Sequence, residues 1–161
     1  MEIIEIKDVF YMDCGAPMPT TFSSEGKLFL CFFAETQIDL EIPVERVIGT
    51  DEEVYVLSFN NCIYHRLGSP NDESLKGHPY YKLGLRSYSF YELRQSDLIH
   101  RLMSINSVHP RYNVNSWKNY KHYIITFHDE MFECVAANFE ISKEESSMHE
   151  QIGKIVDGVF R

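Results

Sequence analysis

The chain has 161 residues, 44% of them hydrophobic and 14% aromatic, a composition that fits one domain over 1–161 and excludes intrinsic disorder. Its formal net charge of −9 works against nucleic acid and anionic membranes as partners, because phosphate contacts draw on lysine and arginine. No apolar run reaches the length of a membrane span, so no membrane partner is expected.

The charge is unevenly spread. Residues 1–73 carry 4 Lys/Arg against 14 Asp/Glu, residues 74–128 carry 8 against 2, and residues 129–161 carry 3 against 8. Between Asp97 and Asp129 there is no acidic residue, while four basic residues and four histidines fall there. Such asymmetry either steers a charged partner or a second copy of the chain, or is neutralised across the fold.

In chain order, "MEIIEIKDVF" alternates isoleucine with charge and reads as a first strand rather than a secretory leader. "KLFLCFFAE" (27–35) is a short apolar run typical of a buried strand, with Cys31 as a small core residue. "QIDLEI" (37–42) alternates and would return antiparallel to it. "EVYVLSFNNCIYHRLG" (53–68) reads as two strands around Asn60–Asn61, since asparagine tolerates the left-handed backbone of a tight turn. The loop at 68–84 gathers Gly, Pro, Asn and Asp, and long loops in small domains are often functional. "GLRSYSFYEL" (84–93) returns to alternation. A helix should start at Ser96, place Leu98, Leu102 and Ile105 on one stripe and close at Asn106. "SVHPRYNVNSW" (107–117) is a second loop. A hairpin covers 121–140, and Ser142 with Glu145 forms a capping box ahead of a last helix with Met148, Ile152, Ile155 and Val159 at helical spacing. The expected fold is α+β, a mostly antiparallel sheet of about seven or eight strands with two main helices.

The hairpin is the segment richest in chemistry. With a turn at Asp129–Glu130, Phe127 faces Phe132, Ile125 faces Cys134 and Tyr123 faces Ala136. Cys134 then lies opposite in sense to His128, and a Cys–His nucleophile pair is excluded by strand parity. Glu133 shares a face with Thr126 and His128, where a cross-strand polar contact is expected.

The histidines show no HxH, HxxxH or HExxH spacing, so no metal and no cofactor is expected. His78 and His109 each precede a proline in a long loop, where a fixed backbone presents a side chain steadily. "HPRYNVNSWKNYKHY" (109–123) interleaves Arg111, Lys118 and Lys121 with Tyr112, Trp117, Tyr120 and Tyr123. Aromatic residues with arginine mark protein interfaces, and the chain's charge ranks that reading above single-stranded nucleic acid. The four cysteines form no CxxC pair and read as reduced thiols of a cytoplasmic protein.

The strings "GAPMPTTFSSEGKLFLCFF", "FNNCIYHRLGSPNDESLKGHPYYKLGL", "INSVHPRY" and "KHYIITFHDEMFEC" together resemble a family of small bacterial proteins with no assigned activity. The resemblance covers about residues 15–140 and implies a bacterial origin but no catalytic residues. Ser96-Asp97-Leu98 departs from it, standing where a Ser-Trp follows the Tyr-Glu segment.

The function expected from these readings is a non-catalytic protein-binding module, immunity-like in type, with a protein partner. Self-association is the other arrangement the charge map allows. The binding residues expected are His78, His109, Arg111, Tyr112, Trp117, His128 and Glu133. The alternative is a hydrolase or metal-dependent enzyme built on the histidine loops.

Overall fold

The computed structural model describes residues 1–35 and 53–159. The fold is α+β, as the strand and helix signals imply. Nine strands are described: β1 Glu2–Glu5, β2 Thr20–Ser24, β3 Lys27–Phe33, β4 Glu53–Asn60, β5 Tyr64–Gly68, β6 Phe90–Arg94, β7 Lys121–Thr126, β8 Met131–Ala136 and β9 Asn138–Glu145. Two main helices are α1, Asp97–Asn106, and α2, Met148–Val159. The 37–42 segment lies outside the described residues.

The strands form two antiparallel sheets, ordered β1-β6-β7-β8-β5 and β2-β3-β4-β9. Period-two alternation explains why they stack. Leu28, Leu30 and Phe32 of β3 and Tyr55, Leu57 and Phe59 of β4 meet Phe90, Tyr123, Ile125, Phe132, Cys134 and Ala136 of the first sheet. Aromatic rings fill this layer, with Phe32 edge-on to Phe127 at 5.2 Å and Phe59 against Phe132 at 5.3 Å. The outer face of the first sheet buries Tyr91, Leu93, Ile124 and Met131 under Leu75 and Leu85 of the 68–89 connection. The second sheet is backed by α2, whose Ile155, Val156 and Val159 face Phe22 and Phe29. Among the described residues no helix is long and apolar enough to cross a membrane.

Several local expectations shift. The strands flanking Asn60–Asn61 are not hairpin partners. Asn61 takes the left-handed backbone (φ 51°), but β4 pairs with β3 and β9 while β5 pairs with β8, so the turn carries the chain between sheets. The 121–140 hairpin ends at Ala136, since Asn138 already opens β9 in the other sheet. Its register places Ile125 opposite Phe132 and Tyr123 opposite Cys134, because Phe127, His128, Asp129 and Glu130 all enter the turn. The displacement is by two residues, so each side chain keeps the face that parity gives it. The alternating 84–93 segment becomes strand only from Phe90 onward, in β6. In α1 Leu98 is buried, but Ile105 is 62% exposed, because α1 packs on β7 near its N-terminal end and its last turn is left uncovered. Ser142 pairs with Val56 inside β9, so it caps nothing. The cap of α2 is Ser147, whose Oγ accepts from the Glu150 N–H at 3.2 Å.

Candidate functional site

The seven residues expected at a site fall in three places. His109, Arg111, Tyr112 and Trp117 come together. His78 and Glu133 belong to a polar cluster on the outer face of the first sheet. His128 stands apart, in the β7–β8 turn.

The first group lines an open cavity of about 310 Å³, with Ile63, Leu102, Asn106, Asn113, Ser116 and Tyr120 completing its wall. Local bonds fold the loop after α1 into this shape. The Tyr112 N–H reaches His109 O at 2.9 Å, the Asn113 side chain accepts from the Asn115 N–H at 2.9 Å, and the Ser116 hydroxyl donates to Asn113 O at 2.6 Å. That turn starts the 3-10 segment Val114–Asn119, which sets Trp117 against Tyr120 with ring centres 5.5 Å apart. His109 Nδ1 accepts the Arg111 N–H at 3.1 Å, so the neutral ring carries its proton on Nε2 and offers a donor. No Asp or Glu is among the lining residues. The wall therefore combines aromatic faces with donors and one fixed positive charge, which suits an anionic group attached to apolar surface.

The second cluster contains the most reactive-looking geometry in the molecule. Ser96 Oγ lies 2.6 Å from His122 Nδ1, and His122 Nε2 lies 2.9 Å from Glu133 Oε1. These are the residue types of a Ser–His–acid relay, but the arrangement is closed. Ser96, His122 and Glu133 are 2%, 0% and 8% exposed, and Ser96 Oγ also accepts the Ile99 N–H at 3.3 Å as the cap of α1. The ring is also reversed relative to hydrolase triads, with the hydroxyl on Nδ1 and the acid on Nε2. Arg66 Nε stands 3.8 Å from the other Glu133 oxygen, and the ring of Tyr80 packs edge-on to His122 at 6.2 Å. Burial alone would raise the Glu133 carboxyl. The His122 bond, with the charges of His122, Arg66 and His78, outweighs it and holds the carboxyl below its usual range. His78 itself is pushed down by burial, and its Nδ1 caps the 3-10 segment Pro79–Leu83 by accepting from the Tyr80 N–H at 3.2 Å.

Glu133 thus contacts neither Thr126 nor His128, the partners expected from a shared face. Thr126 Oγ1 is taken by Arg86 O at 2.7 Å and the Ser89 N–H at 3.1 Å, and His128 leaves the strand for the turn. There His128 Nδ1–H is shared between the Tyr88 hydroxyl at 2.7 Å and Asp72 Oδ2 at 3.0 Å, while that hydroxyl donates to Asp72 at 2.6 Å. Burial and the Asp72 carboxylate push the Tyr88 phenol up to about 12. The Asp72 N–H also bonds His128 O at 2.9 Å, so this knot pins the 68–89 connection to the hairpin tip.

Among the described residues, no group of three or more His, Cys, Asp and Glu converges to hold a metal. Ser96, His122 and Arg66 are absent from the sequence-derived set. Strand parity along β7 and β8 puts His122 on the face of Glu133, and the expected start of α1 marks Ser96, but only the tertiary fold brings them together. The chain matches no known protein family, no curated protein and no solved structure.

Proposed function

We propose that this chain is a cytoplasmic, non-catalytic binding protein that docks an acidic, apolar-flanked segment of another protein in the Trp117 cavity. Neutralisation of a toxin by an immunity-type protein is one form such docking takes. The observation that carries the reading is the make-up of that one wall, Arg111 with Trp117, Tyr112 and Tyr120 and no carboxylate. Tryptophan, tyrosine and arginine are the residues that dominate binding energy at protein interfaces. Ile63, on the wall, and Ile105, Val108 and Val114, chain neighbours of wall residues, are 42%, 62%, 86% and 54% exposed, and so add apolar surface around it. The acid-free stretch between Asp97 and Asp129 supplies the sign of the partner. An enzyme built on the histidine loops has less support, since His78, His109 and His128 sit in three separate settings.

Panning a random peptide display library against the full chain tests this. Peptides rich in Asp or Glu beside aromatic or aliphatic residues are expected, held less tightly as salt rises. Trp117→Ala should weaken them by roughly 30-fold, the loss of a 2 kcal/mol anchor. Arg111→Glu should remove the acidic preference. Peptides without an acidic bias, or indifferent to both substitutions, would overturn the reading. A concentration-dependent dimer abolished by Arg111→Glu would instead assign the cavity to a second copy of this chain.

A further inference from the structure

The first sheet ends in β1 on one side and in β5 on the other, and no described strand pairs with the far side of β5. Ladder parity says which of its backbone groups face outward. The Phe127 N–H bonds Glu130 O at 2.9 Å, so in the β7–β8 register Phe132, Cys134 and Ala136 turn their backbone groups to β7. Met131, Glu133 and Val135 then turn theirs to β5, where Gly68, Arg66 and Tyr64 stand opposite them. That leaves His65 and Leu67 with their N–H and C=O groups pointing away from the sheet. Among the described residues none of these four groups has a hydrogen-bond partner. Ile63, a wall residue of the Trp117 cavity, stands one residue before the strand begins.

We infer that β5 is where the partner's main chain is held: the acidic segment docks in extended form and adds a strand to the five-stranded sheet along His65 and Leu67. This inference rests on the docking reading of the Trp117 cavity and says what form the docked segment takes.

Charge selects this edge over the others. Four described strands stand at sheet edges, β1, β2, β5 and β9. β1 carries Glu2 and Glu5, β9 carries Glu140, Glu144 and Glu145, and β2 has no charged residue. β5 alone has a fixed positive charge and no carboxylate. Its Arg66 side chain is 45% exposed, while the neighbouring Glu133 is buried. An acidic segment is therefore repelled from β1 and β9 and drawn to β5. Position agrees with charge. Arg66 lies on the face of the sheet where α1 is tied through Ser96 and His122, and α1 supplies Leu102 and Asn106 to the cavity wall. Strand edge and cavity thus form one track, in which the edge offers four main-chain hydrogen bonds and the cavity supplies the side-chain anchor.

The test uses peptides recovered by panning a random library on the full chain and lost on Trp117→Ala. An N-methyl scan of such a peptide should find two intolerant positions with one tolerant residue between them, the period of a strand bonded along one side. In amide exchange followed by NMR, His65 and Leu67 should be fast in the free chain and about 10-fold slower with the peptide bound, while Tyr64 and Arg66 are slow in both states. His65→Pro removes an outward N–H and spares the β5–β8 ladder, so it should weaken the peptide about 5-fold, the loss of one hydrogen bond. The peptide scan decides the matter even if that variant does not fold. Peptides that need Trp117 yet tolerate N-methylation throughout, and leave the His65 and Leu67 amides fast, would overturn the added strand and leave the docking reading standing. A library that yields no acidic binder removes both.

Discussion

The buried relay and the open cavity contrast most sharply in this molecule. Ser96, His122 and Glu133 have the reactive residue types, but each atom is already engaged, and no buried side-chain nitrogen or oxygen among the described residues lacks a partner. The Trp117 wall has ordinary residue types, but Arg111 and His109 are exposed and face a concave space. Chemical character and availability therefore separate. A relay whose hydroxyl already caps a helix holds the fold, whereas the Trp117 wall leaves an arginine and parts of its aromatic rings open to solvent, which is the feature the proposed docking uses.

The relay gives the largest effect by which this contrast can be broken. Glu133→Ala strips the fully buried His122 and nearby Arg66 of their carboxylate and should cost about 3–5 kcal/mol of stability in urea unfolding. Peptide affinity per folded molecule should not change. If Glu133→Ala keeps full stability but loses binding, the relay is a site and the contrast fails. A serine-directed fluorophosphonate should likewise leave Ser96 unlabelled in the folded chain.

The same residues set the acid response. Glu133 and Asp72 have folded carboxyls below their unfolded values, so their stabilisation is complete above the ordinary carboxylate range and is lost as pH falls through the lowered folded values. For Asp72 the Tyr88 bond is the main cause. His78 acts in the same direction from a higher pH. Burial keeps it neutral in the folded chain where the unfolded chain has bound a proton, so stability falls as pH drops below its ordinary value of 6.5. Urea midpoints measured from pH 8 to pH 3 should decline in two stages, and Glu133→Gln should flatten the lower one. A flat profile to pH 3 would remove the relay's electrostatic role.

The legibility of the chain follows the same division. Strand alternation gave the class, most strand positions and the core-facing side of Cys134, because parity survives a register displaced by two residues, whereas His128 is parted from Cys134 by leaving the strand for the turn. It could not give the pairing itself. The turn absorbs Phe127 through Glu130, a choice made by Asp72 and Tyr88, which lie 56 and 40 residues from His128. Nor could it tell a hairpin from a crossing at Asn61, since the left-handed backbone is the same in both and only the core decides which sheet each strand joins. At the cavity, the dense stretch His109–Trp117 was legible because its members are close in the chain. Ile63 and Leu102, which close the wall, come from elements that only folding brings near.

The smallest effect concerns the start of α2, where the segment "SKEESSMHE" offers the serine–glutamate capping pattern twice, at Ser142–Glu145 and at Ser147–Glu150. Both are equal on sequence alone. Tertiary pairing decides between them, because Val56 holds Ser142 in β9 and Ser58 holds Glu140 beside it, so the strand runs on to Glu145 before the helix can begin. Ser147→Ala should therefore cost about 1 kcal/mol and fray α2 in amide exchange, by freeing the Glu150 N–H. Ser142→Ala should move the urea midpoint by no more than a few tenths of a kcal/mol, as expected for an exposed strand position. The reverse order would mean that β9 ends early and that the second sheet holds its edge strand less firmly than the β4–β9 ladder implies.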